Sequence, residues 1–429
     1  MSHYKPYPAY KDSGVEWLGE VPEGWEMCAI KRMTRLITDG AHISPETDGG
    51  VYNFISTKDI GDSGIDFEGC LKTSPSSYEY LVRTGCQPLQ GDVLFSKDGT
   101  IGRTTVIKEQ HQFVVASSLI IIRPDNTVLD STFLQYLCQS FVVTQQVDGF
   151  IKGAGLPRLS IQNLLKVLGV FPQLEGQQTI TAFLDRETAK IDTLISKQEK
   201  LIELLKEKRQ AVISHAVTKG LNPKAKMKDS GVEWLGEVPE GWKILALKRV
   251  VSMKSGEQIS SANIESAGEF PVFGGNGFRG YTSSFTHDGY FPLIGRQGAL
   301  CGNINYACGK FWASEHAVVV SPKIQLSIVW LGELLRVMNL GQYSITAAQP
   351  GLSVEAIGNL PVPLPPSVEQ KTITSFLDRE TAKIDMLVSK SEKAIELQKE
   401  HRTALISAAV TGKIDISRLL KNPGTTPVW

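Results

Sequence analysis

Two long stretches of the chain alternate apolar and polar positions with the period of a helix. The first runs from about residue 176 to 218 and contains neither glycine nor proline between Gln177 and Lys219. Apolar side chains recur there at alternating steps of four and three residues, and the second stretch repeats the pattern. This heptad spacing is typical of helices that pack along one another. The predicted seam positions are Ile191, Ile195, Ile202, Leu205, Val212, Ile384, Val388, Ile395 and Leu405.

The two seams predict that the helices pair with each other in a coiled-coil rod. The alternative is that each helix packs only on its own globular domain. We favour pairing because a helix of this length, rising about 1.5 Å per residue, reaches about 60 Å and passes the edge of a domain. The first helix leads to the second variable segment, where the second helix begins. The two helices are therefore expected to be antiparallel.

The chain contains an internal repeat, in which one sequence unit occurs twice. The stretch KDSGVEWLGEVPEGW at 11–25 returns letter for letter at 228–242. The stretch TITAFLDRETAKIDTLISKQEK at 179–200 returns at 372–393 with eighteen of twenty-two positions identical. Each half therefore consists of a box, a variable segment and a long helix. We interpret the box as a junction at each end of the rod, where Trp17, Leu18, Val21 and Trp25 are predicted packing anchors rather than ligand-binding aromatics.

This order predicts an α+β protein with a pseudo-two-fold internal repeat. Two mixed α/β domains would be separated by the two long antiparallel helices. The predicted segments are a first globular domain at 1–172, a first long helix with linker at 173–227, a second globular domain at 228–366, and a second long helix with C-terminal tail at 367–429. The variable segments share only weak sequence similarity, for example between GDVLFSKDGTIG at 91–102 and YFPLIGRQGALCG at 290–302. Both predict strand, glycine turn and strand, hence related folds with divergent surfaces.

The amino-acid composition is that of an ordinary globular protein and does not by itself indicate a binding partner. Lysine plus arginine and aspartate plus glutamate both number 45, so the net charge is zero, and any DNA contact must come from local clusters. The six cysteines lack metal-ligand spacing and are predicted to be reduced thiols. No apolar run approaches the length of a membrane span, and the N-terminus lacks the apolar core of a signal peptide. A cytoplasmic location without membrane contact is expected.

Catalytic signatures are missing from the sequence. It contains no GxxxxGK[ST], HExxH or GxSxG motif, and no Asn/Asp-Pro-Pro-aromatic tetrapeptide. The stretch GGNGFRG satisfies GxGxxG, but turn and strand formers follow it, whereas a dinucleotide site needs a helix there. We predict no catalytic residue, no metal site and no cofactor bound by this chain.

The chain resembles the specificity subunit of type I restriction-modification enzymes. The resemblance lies in the two boxes, the two FLDRETAKID helices and the proline-containing segments before them, NLPVPLPPSVEQKTI and KVLGVFPQLEGQQTI. The similarity covers essentially the whole chain. It implies a non-catalytic adaptor whose variable segments are target recognition domains, each recognising half of a bipartite double-stranded DNA site. The helices would set the spacer and dock two methyltransferase subunits, which motor-nuclease subunits then join. S-adenosylmethionine, ATP and Mg²⁺ would belong to those partners.

The family has no fixed base-contacting residues, so candidates come from side-chain chemistry. Arginine and lysine donate to guanine, asparagine and glutamine pair with adenine, and glycine lets the backbone approach phosphate. Each candidate taken alone has the alternative of being a solvated surface residue. Lys152 and Arg158, which flank GAGLP, suit phosphate contacts. The predicted DNA-binding residues are His42, Ser44, Lys58, Lys97, Arg103, Lys152, Arg158, Asn276, Arg279, Arg296 and Gln297.

Two other functions compete with the adaptor. One is a stand-alone enzyme whose active site lies in the variable domains, and the other is a generic DNA-binding or scaffolding protein built on the same rod. Co-purification of a tightly bound methyltransferase would favour the adaptor, and turnover by the isolated chain would favour the enzyme.

Overall fold

The computed structural model describes residues 5–61, 64–151, 157–298, 300–344 and 351–417. The chain divides into two compact units. Unit 1 comprises residues 1–198 and 393–429, and unit 2 comprises residues 199–392. Each unit thus combines one globular domain with a section of both long helices. The four segments expected from the sequence stay a prediction, because compactness groups the chain differently from its linear order.

The strands of the first half are short. They are β1 Tyr10–Asp12, β2 Glu20–Pro22, β3 Glu26–Ala29, β4 Thr34–Asp39, β5 Tyr52–Ile55, β6 Ile60–Gly61, β7 Gly64–Ile65, β8 Leu71–Thr73, β9 Val93–Ser96, β10 Thr104–Val106, β11 Phe113–Val115, β12 Leu119–Pro124 and β13 Leu168–Phe171. Those of the second half include two longer strands. They are β14 Met227–Asp229, β15 Glu237–Pro239, β16 Lys243–Ala246, β17 Val251–Ser255, β18 Phe270–Gly274, β19 Gly277–Thr282, β20 His287–Gly295, β21 Ile304–Ala313, β22 Ala317–Pro322 and β23 Pro361–Leu364.

Two of the helices are several times longer than the others. The α-helices are α1 Pro75–Arg83, α2 Ser131–Gln139, α3 Phe141–Phe150, α4 Ile161–Leu164, α5 Leu174–Lys219, α6 Leu247–Val250, α7 Ile328–Val337, α8 Val354–Gly358 and α9 Ser367–Val410. Short 3-10 turns lie at Ile30–Met33, Thr57–Asp59, Ser261–Asn263 and Leu340–Tyr343. The long helices α5 and α9 are the two that the heptad pattern predicts, and their existence is confirmed.

The globular part of unit 1 contains two main sheets. One has the order β10-β9-β12-β4, and the other has the order β11-β5-β8, in which β11 and β5 are parallel. All four residues of β9 and the first four of β12 are buried, as expected for central strands covered on both faces. Asp130 and Ser160 cap α2 and α4 by accepting hydrogen bonds from the backbone N–H groups of Phe133 and Asn163.

The globular part of unit 2 joins the corresponding strands into one sheet. Its order is β17-β22-β20-β21-β18-β19, and β18 is parallel to β21 as β5 is to β11. The mixed α+β character expected from the sequence is confirmed. The merger occurs because β20 and β21 are nine and ten residues long and pair along most of their length, so that β21 reaches β18.

The long helices bury their predicted seams. Ile191 and Leu205 on α5 and Ile384 and Leu405 on α9 are buried, and the other five seam residues are half-buried. Within unit 1, Ile191 of α5 and Leu405 of α9 share one apolar cluster. In the same unit, Arg402 donates to Asp192 at 3.0 Å. Within unit 2, Arg209 donates to Asp385 at 2.9 Å.

Each box packs at the end of a long helix, as the junction interpretation predicts. In unit 1 the Lys413 ammonium, just beyond α9, donates to the backbone oxygens of Leu18 and Glu20. In unit 2 the Lys219 ammonium, at the end of α5, donates to the backbone oxygens of Leu235 and Glu237. The predicted anchors Leu18, Val21 and Trp25 are buried, with their counterparts in the second box. The prediction is wrong for Trp17, whose side chain is 43% exposed and lies outside the apolar cluster that contains Leu18, Val21 and Trp25.

Candidate nucleic-acid interface

Four loops of unit 1 meet at one end of its sheets. They follow β4, β5 and β9 and precede β12, at residues 39–44, 56–58, 97–103 and 116–118. Backbone hydrogen bonds join them, since the N–H of Ser117 donates to Ala41 and the N–H of Lys97 donates to Ser118. The N–H of Thr57 donates to the Ser118 hydroxyl at 3.2 Å. We call these four loops the first loop edge.

Unit 2 repeats this arrangement with residues 255–258, 274–276, 296–298, 300–303 and 314–316, which we call the second loop edge. The N–H of Arg296 donates to His316 at 2.9 Å, as that of Lys97 donates to Ser118 at 2.9 Å. The N–H of Ser314 donates to the backbone oxygen of Phe273 at 2.8 Å, which matches the 2.8 Å bond from the N–H of Ala116 to the backbone oxygen of Ile55 in unit 1. The weakly similar sequence segments therefore adopt the same backbone arrangement, or frame, in the two units but carry different side chains.

A glycine in each loop edge makes this frame possible. A Cβ atom on Gly40 would lie 2.2 Å from the backbone oxygen of Val115, and one on Gly256 would lie 2.1 Å from that of Ala313. No side chain fits at either position without moving backbone, because real Cβ atoms do not approach other atoms so closely. Glycine therefore lets two loops cross at backbone contact distance in both units.

The first loop edge contains a buried cation. Lys97 is 3% exposed, and its Nζ lies 2.5 Å from Oδ2 of Asp39. His42, which is largely exposed, places Nε2 2.9 Å from the same oxygen. Burial by itself raises the pKa of Asp39, but the hydrogen bonds from Lys97 and His42 outweigh it and lower that pKa. The Lys97 amine is thus engaged in holding Asp39, and His42 is the exposed member of this cluster.

Unit 2 places Arg296 where unit 1 has Lys97. The Arg296 Nη1 donates to the Ser255 hydroxyl at 3.0 Å, and Ser255 takes the position of Asp39 at the end of its strand. Arg296 is half-buried and lacks the carboxylate partner that Lys97 has. Among the described residues only Nη1 of its guanidinium is engaged, so its other N–H groups are available to a ligand.

The other candidates of the first half that the structure describes are exposed, within the first loop edge or beside it. Lys58 follows Thr57 on the loop that contacts Ser118. Arg158 pairs with Asp98 at 3.1 Å, and the next residue, Leu159, donates its N–H to the backbone of Lys97. The structure thus brings His42, Lys58, Lys97 and Arg158 together. Ser44 is exposed at the end of its loop, and Arg103 donates to the backbone oxygen of Ile60 at 3.1 Å. Lys152 lies outside the described residues.

The second loop edge includes the turn of the β18–β19 hairpin. A Cβ atom on Gly275 would lie 3.1 Å from the backbone oxygen of His316 and 3.4 Å from that of Gln297. Asn276 and Gln297 are both exposed, and the close approach of Gly275 to the backbone of Gln297 brings the turn next to the residue that follows Arg296. Arg279 is exposed on β19, where its Cδ packs on Gly274.

Some residues of the loop edges were missed from the sequence. Ser118 and His316 occupy equivalent positions, because their backbone oxygens accept from Lys97 and Arg296. Gln258 lies two residues after Gly256, as His42 does after Gly40. The sequence offers VVASS at 114–118 as a loose counterpart of FWASEH at 311–316, and aligning the two segments by the Lys97 and Arg296 turns places Ser118 opposite His316.

Neither a membrane helix nor a metal cluster is found in the described part of the chain. Its helices include none that is long and apolar enough to cross a bilayer. Its His, Cys, Asp and Glu residues form no group of three or more that could hold a metal ion.

Comparison with known proteins agrees with the duplicated loop edges. The family model for the type I restriction modification DNA specificity domain matches residues 22–204 and 239–397. The chain belongs to this family. Its members are specificity subunits of type I restriction-modification systems, which bind DNA, are non-catalytic and act with methyltransferase and restriction subunits. The predicted specificity-subunit identity is confirmed.

Individual specificity subunits are similar to this chain over part of its length or nearly all of it. The chain is 44% identical over 137 residues to the EcoprrI specificity subunit of Escherichia coli, a match that spans 31% of this chain and 34% of that protein. It is 25% identical over 430 residues to the putative MjaX specificity subunit of Methanocaldococcus jannaschii, covering 93% of this chain and 96% of that one.

Solved specificity-subunit structures share the fold along nearly the whole chain. The HsdS subunit of Thermoanaerobacter tengcongensis gives a TM-score of 0.53 at 17% identity, covering 92% of this chain and 98% of that one. A chain from a study of complex assembly and conformational transition in the type I R-M system gives 0.66 at 17% identity, with 92% and 99% covered.

Proposed function

We propose that each loop edge recognises one half of a bipartite, asymmetric DNA site. The observation that carries this proposal is the shared backbone frame with different side chains. Lys97 against Asp39 in unit 1 corresponds to Arg296 against Ser255 in unit 2. A common frame suits a common task, and different donors and acceptors on it suit two different half-sites.

The side chains of the loop edges divide by what they offer to DNA. In the first edge, Lys58 is an exposed cation suited to phosphate, as is Arg158 beside the edge, and His42 is an exposed ring next to Asp39. In the second edge, Arg296 suits guanine, and Asn276 and Gln297 suit adenine. The net charge of zero leaves few phosphate contacts, so DNA binding by the isolated chain is weak and sensitive to salt.

The long helices act as an antiparallel coiled-coil spacer with pseudo-two-fold symmetry. Within unit 1 an early residue of α5, Asp192, bonds to a late residue of α9, Arg402. Within unit 2 a late residue of α5, Arg209, bonds to an early-to-middle residue of α9, Asp385. Both pairs support opposite helix directions. The seam residues are buried or half-buried along both helices, and we take this helix pair to set the spacing of the half-sites.

The outer faces of the helices dock two methyltransferase subunits. In unit 2, Leu201 and Leu204 of α5 and Leu387 of α9 are exposed by 43%, 49% and 49%. In unit 1, Leu194 of α5 and Leu397 of α9 are exposed by 47% and 55%. Leucines repeated on the outside of a helix pair point to a protein partner. Their presence on both sequence repeats supports two equivalent docking faces. Motor-nuclease subunits join this complex, and S-adenosylmethionine, ATP and Mg²⁺ are bound by the partners.

Exchange of one globular domain tests the proposal. Residues 26–157 are replaced by the matching segment of another specificity subunit, and methylated adenines are mapped genome-wide in cells that also contain the methyltransferase subunit. We expect one half-site to change while the other half-site and the spacer stay the same. A change in both half-sites would contradict the division of labour between the loop edges.

A further inference from the structure

The β18–β19 hairpin forms the outer ribbon of the sheet in unit 2. Strand β19 is the last strand in the sheet order, and the two strands are joined by Gly275 and Asn276. A Cβ atom on Gly295 would lie 2.2 Å from the backbone oxygen of Gly275. The tip of the ribbon is part of the second loop edge, and its backbone packs directly against that of Gly295, the residue before Arg296.

Phe278 is an exposed aromatic residue on this ribbon. Its side chain is 56% exposed, although the ring makes edge contacts with Phe273 at 6.3 Å and Tyr281 at 5.1 Å between centroids. Phe285, another exposed phenylalanine of this unit, has its ring covered by the Lys310 ammonium at 4.8 Å. Phe278 has no such cover among the described residues.

The fold does not require an aromatic residue here. The parallel pairing of β5 with β11 in unit 1 matches that of β18 with β21, and β8 pairs antiparallel with β5 as β19 does with β18. Unit 1 joins β5 to β8 through a longer connection that contains the 3-10 turn Thr57–Asp59, β6 and β7, whereas unit 2 joins β18 to β19 through Gly275 and Asn276 alone. The exposed ring therefore stands on a tight hairpin that replaces the longer connection of unit 1. Phe278 is also the most exposed aromatic side chain among the described residues. Its position at the base of a turn that belongs to the second loop edge makes it available to the ligand of that edge.

The neighbours of Phe278 identify that surface. Asn276 and Arg279, both exposed, flank the ring along the chain. The major groove of B-DNA admits a two-stranded ribbon, and there asparagine pairs with adenine, arginine with guanine, and an apolar side chain with the thymine methyl group. The ring lies two residues behind the tip, between these polar side chains. It is therefore placed to touch the edge of a base and not to lead between stacked bases.

We propose that the β18–β19 ribbon enters the major groove of the second half-site and that Phe278 contacts the 5-methyl group of a thymine there. This proposal rests on the proposed function, because it requires unit 2 to recognise DNA. It adds a specificity-determining residue that works by apolar contact beside the polar donors of the second loop edge.

The test removes the methyl group from DNA and the ring from the protein. Once the second half-site is known, each of its thymines on both strands is replaced singly by deoxyuridine. Binding is measured with the complex of the full chain and its methyltransferase subunits. At one of these thymines we expect the substitution to weaken binding of the unchanged protein about fourfold. A loss of this size is what removing one buried methyl-sized group from an apolar contact would cause. Phe278→Ala should weaken binding to the thymine duplex and show no further loss with deoxyuridine.

Two variants serve as controls. Phe285→Ala removes an exposed ring elsewhere in unit 2 and should keep the full sensitivity to deoxyuridine. Phe278→Leu keeps an apolar side chain and should keep part of it. Because Phe278 is exposed, the thermal unfolding of Phe278→Ala should match that of the unchanged protein, which separates loss of contact from loss of fold.

Three outcomes would overturn the proposal. The first is a second half-site that contains no thymine. The second is an equal loss of binding with deoxyuridine for the unchanged protein and for Phe278→Ala. The third is a rise in 2-aminopurine fluorescence on binding that depends on Phe278, because such a rise would indicate that the ring inserts between stacked bases. Failure of the proposed function is distinct, since the complex would then lack a bipartite methylation site altogether.

Discussion

Lys97 and Arg296 occupy one position in two copies of the same backbone frame, yet one is locked and the other is available. The Lys97 ammonium is 3% exposed and lies 2.5 Å from Asp39, whereas the Arg296 guanidinium donates to the neutral Ser255 hydroxyl at 3.0 Å. A full ion pair in a nearly dry site holds its members more firmly than one neutral hydrogen bond. The same position is thus structural in unit 1 and open to a ligand in unit 2.

Replacing Lys97 by methionine should lower the stability of the protein. The change keeps the length of the side chain but leaves Asp39 with His42 as its remaining partner, so we expect a loss of about 1–3 kcal/mol in the free energy of unfolding. Chemical denaturation measures the loss. The control Lys58→Met, at an exposed lysine of the same loop edge, should change stability by less than about 0.5 kcal/mol. Equal effects of the two substitutions would show that the ion pair with Asp39 is unimportant.

Arg296→Ala should relax recognition within the second half-site while sparing the first. Loss of one bidentate base contact costs about 1–3 kcal/mol of discrimination at one base pair. Methylation of a library of sites by the complex measures discrimination at every position. Arg249→Ala changes an exposed arginine of α6, which precedes β17 and so lies at the opposite end of that strand from the second loop edge. It should leave the pattern unchanged, and an identical pattern for both variants would remove Arg296 from the set of base contacts.

Lengthening both long helices should lengthen the spacer between half-sites. A heptad inserted after Lys200 and another after Lys393 preserves both seams and adds about 10 Å, which corresponds to about three base pairs of B-DNA. Mapping of methylated adenines should find both half-sites intact at the larger spacing. A heptad in one helix alone leaves its seam residues without partners and should lower the melting temperature. An unchanged spacer in the folded double insertion would contradict the spacer role.

Residues 1–227 should form a homodimer. This half contains a box, a globular domain and α5, but removal of α9 exposes the seam residues Ile191 and Leu205 at a cost of roughly 1.5–3 kcal/mol each. A second α5 offers a similar antiparallel seam, and Lys219 can bond to the partner's first box as Lys413 does in the full chain. With the methyltransferase, the dimer should modify a palindrome made from the first half-site. A stable monomer in sedimentation at micromolar concentration would exclude this.

The helices were predictable from the sequence because their signal is local. The heptad steps place Ile191 and Ile384 on buried faces without knowledge of any other element. The loop edges were not predictable in the same way. That Lys97 is buried depends on Asp39, 58 positions away, and Gly40 appears as an ordinary turn residue until β11 crosses it. Trp17 and Trp25 look equally apolar in the box, and only the packed turn decides which one is covered.

Unit 1 consists of two chain segments that the ribosome makes at different times. Its parts, residues 1–198 and 393–429, are separated by the whole of unit 2. At about 5–20 residues per second, roughly ten to forty seconds pass on the ribosome before the α9 section that pairs with Ile191 and Asp192 has been made. Unit 2 is a continuous stretch of chain and can close in the meantime. The first domain must therefore wait with its helix seam and its box uncovered, which makes it the half of the newborn chain most in need of a chaperone.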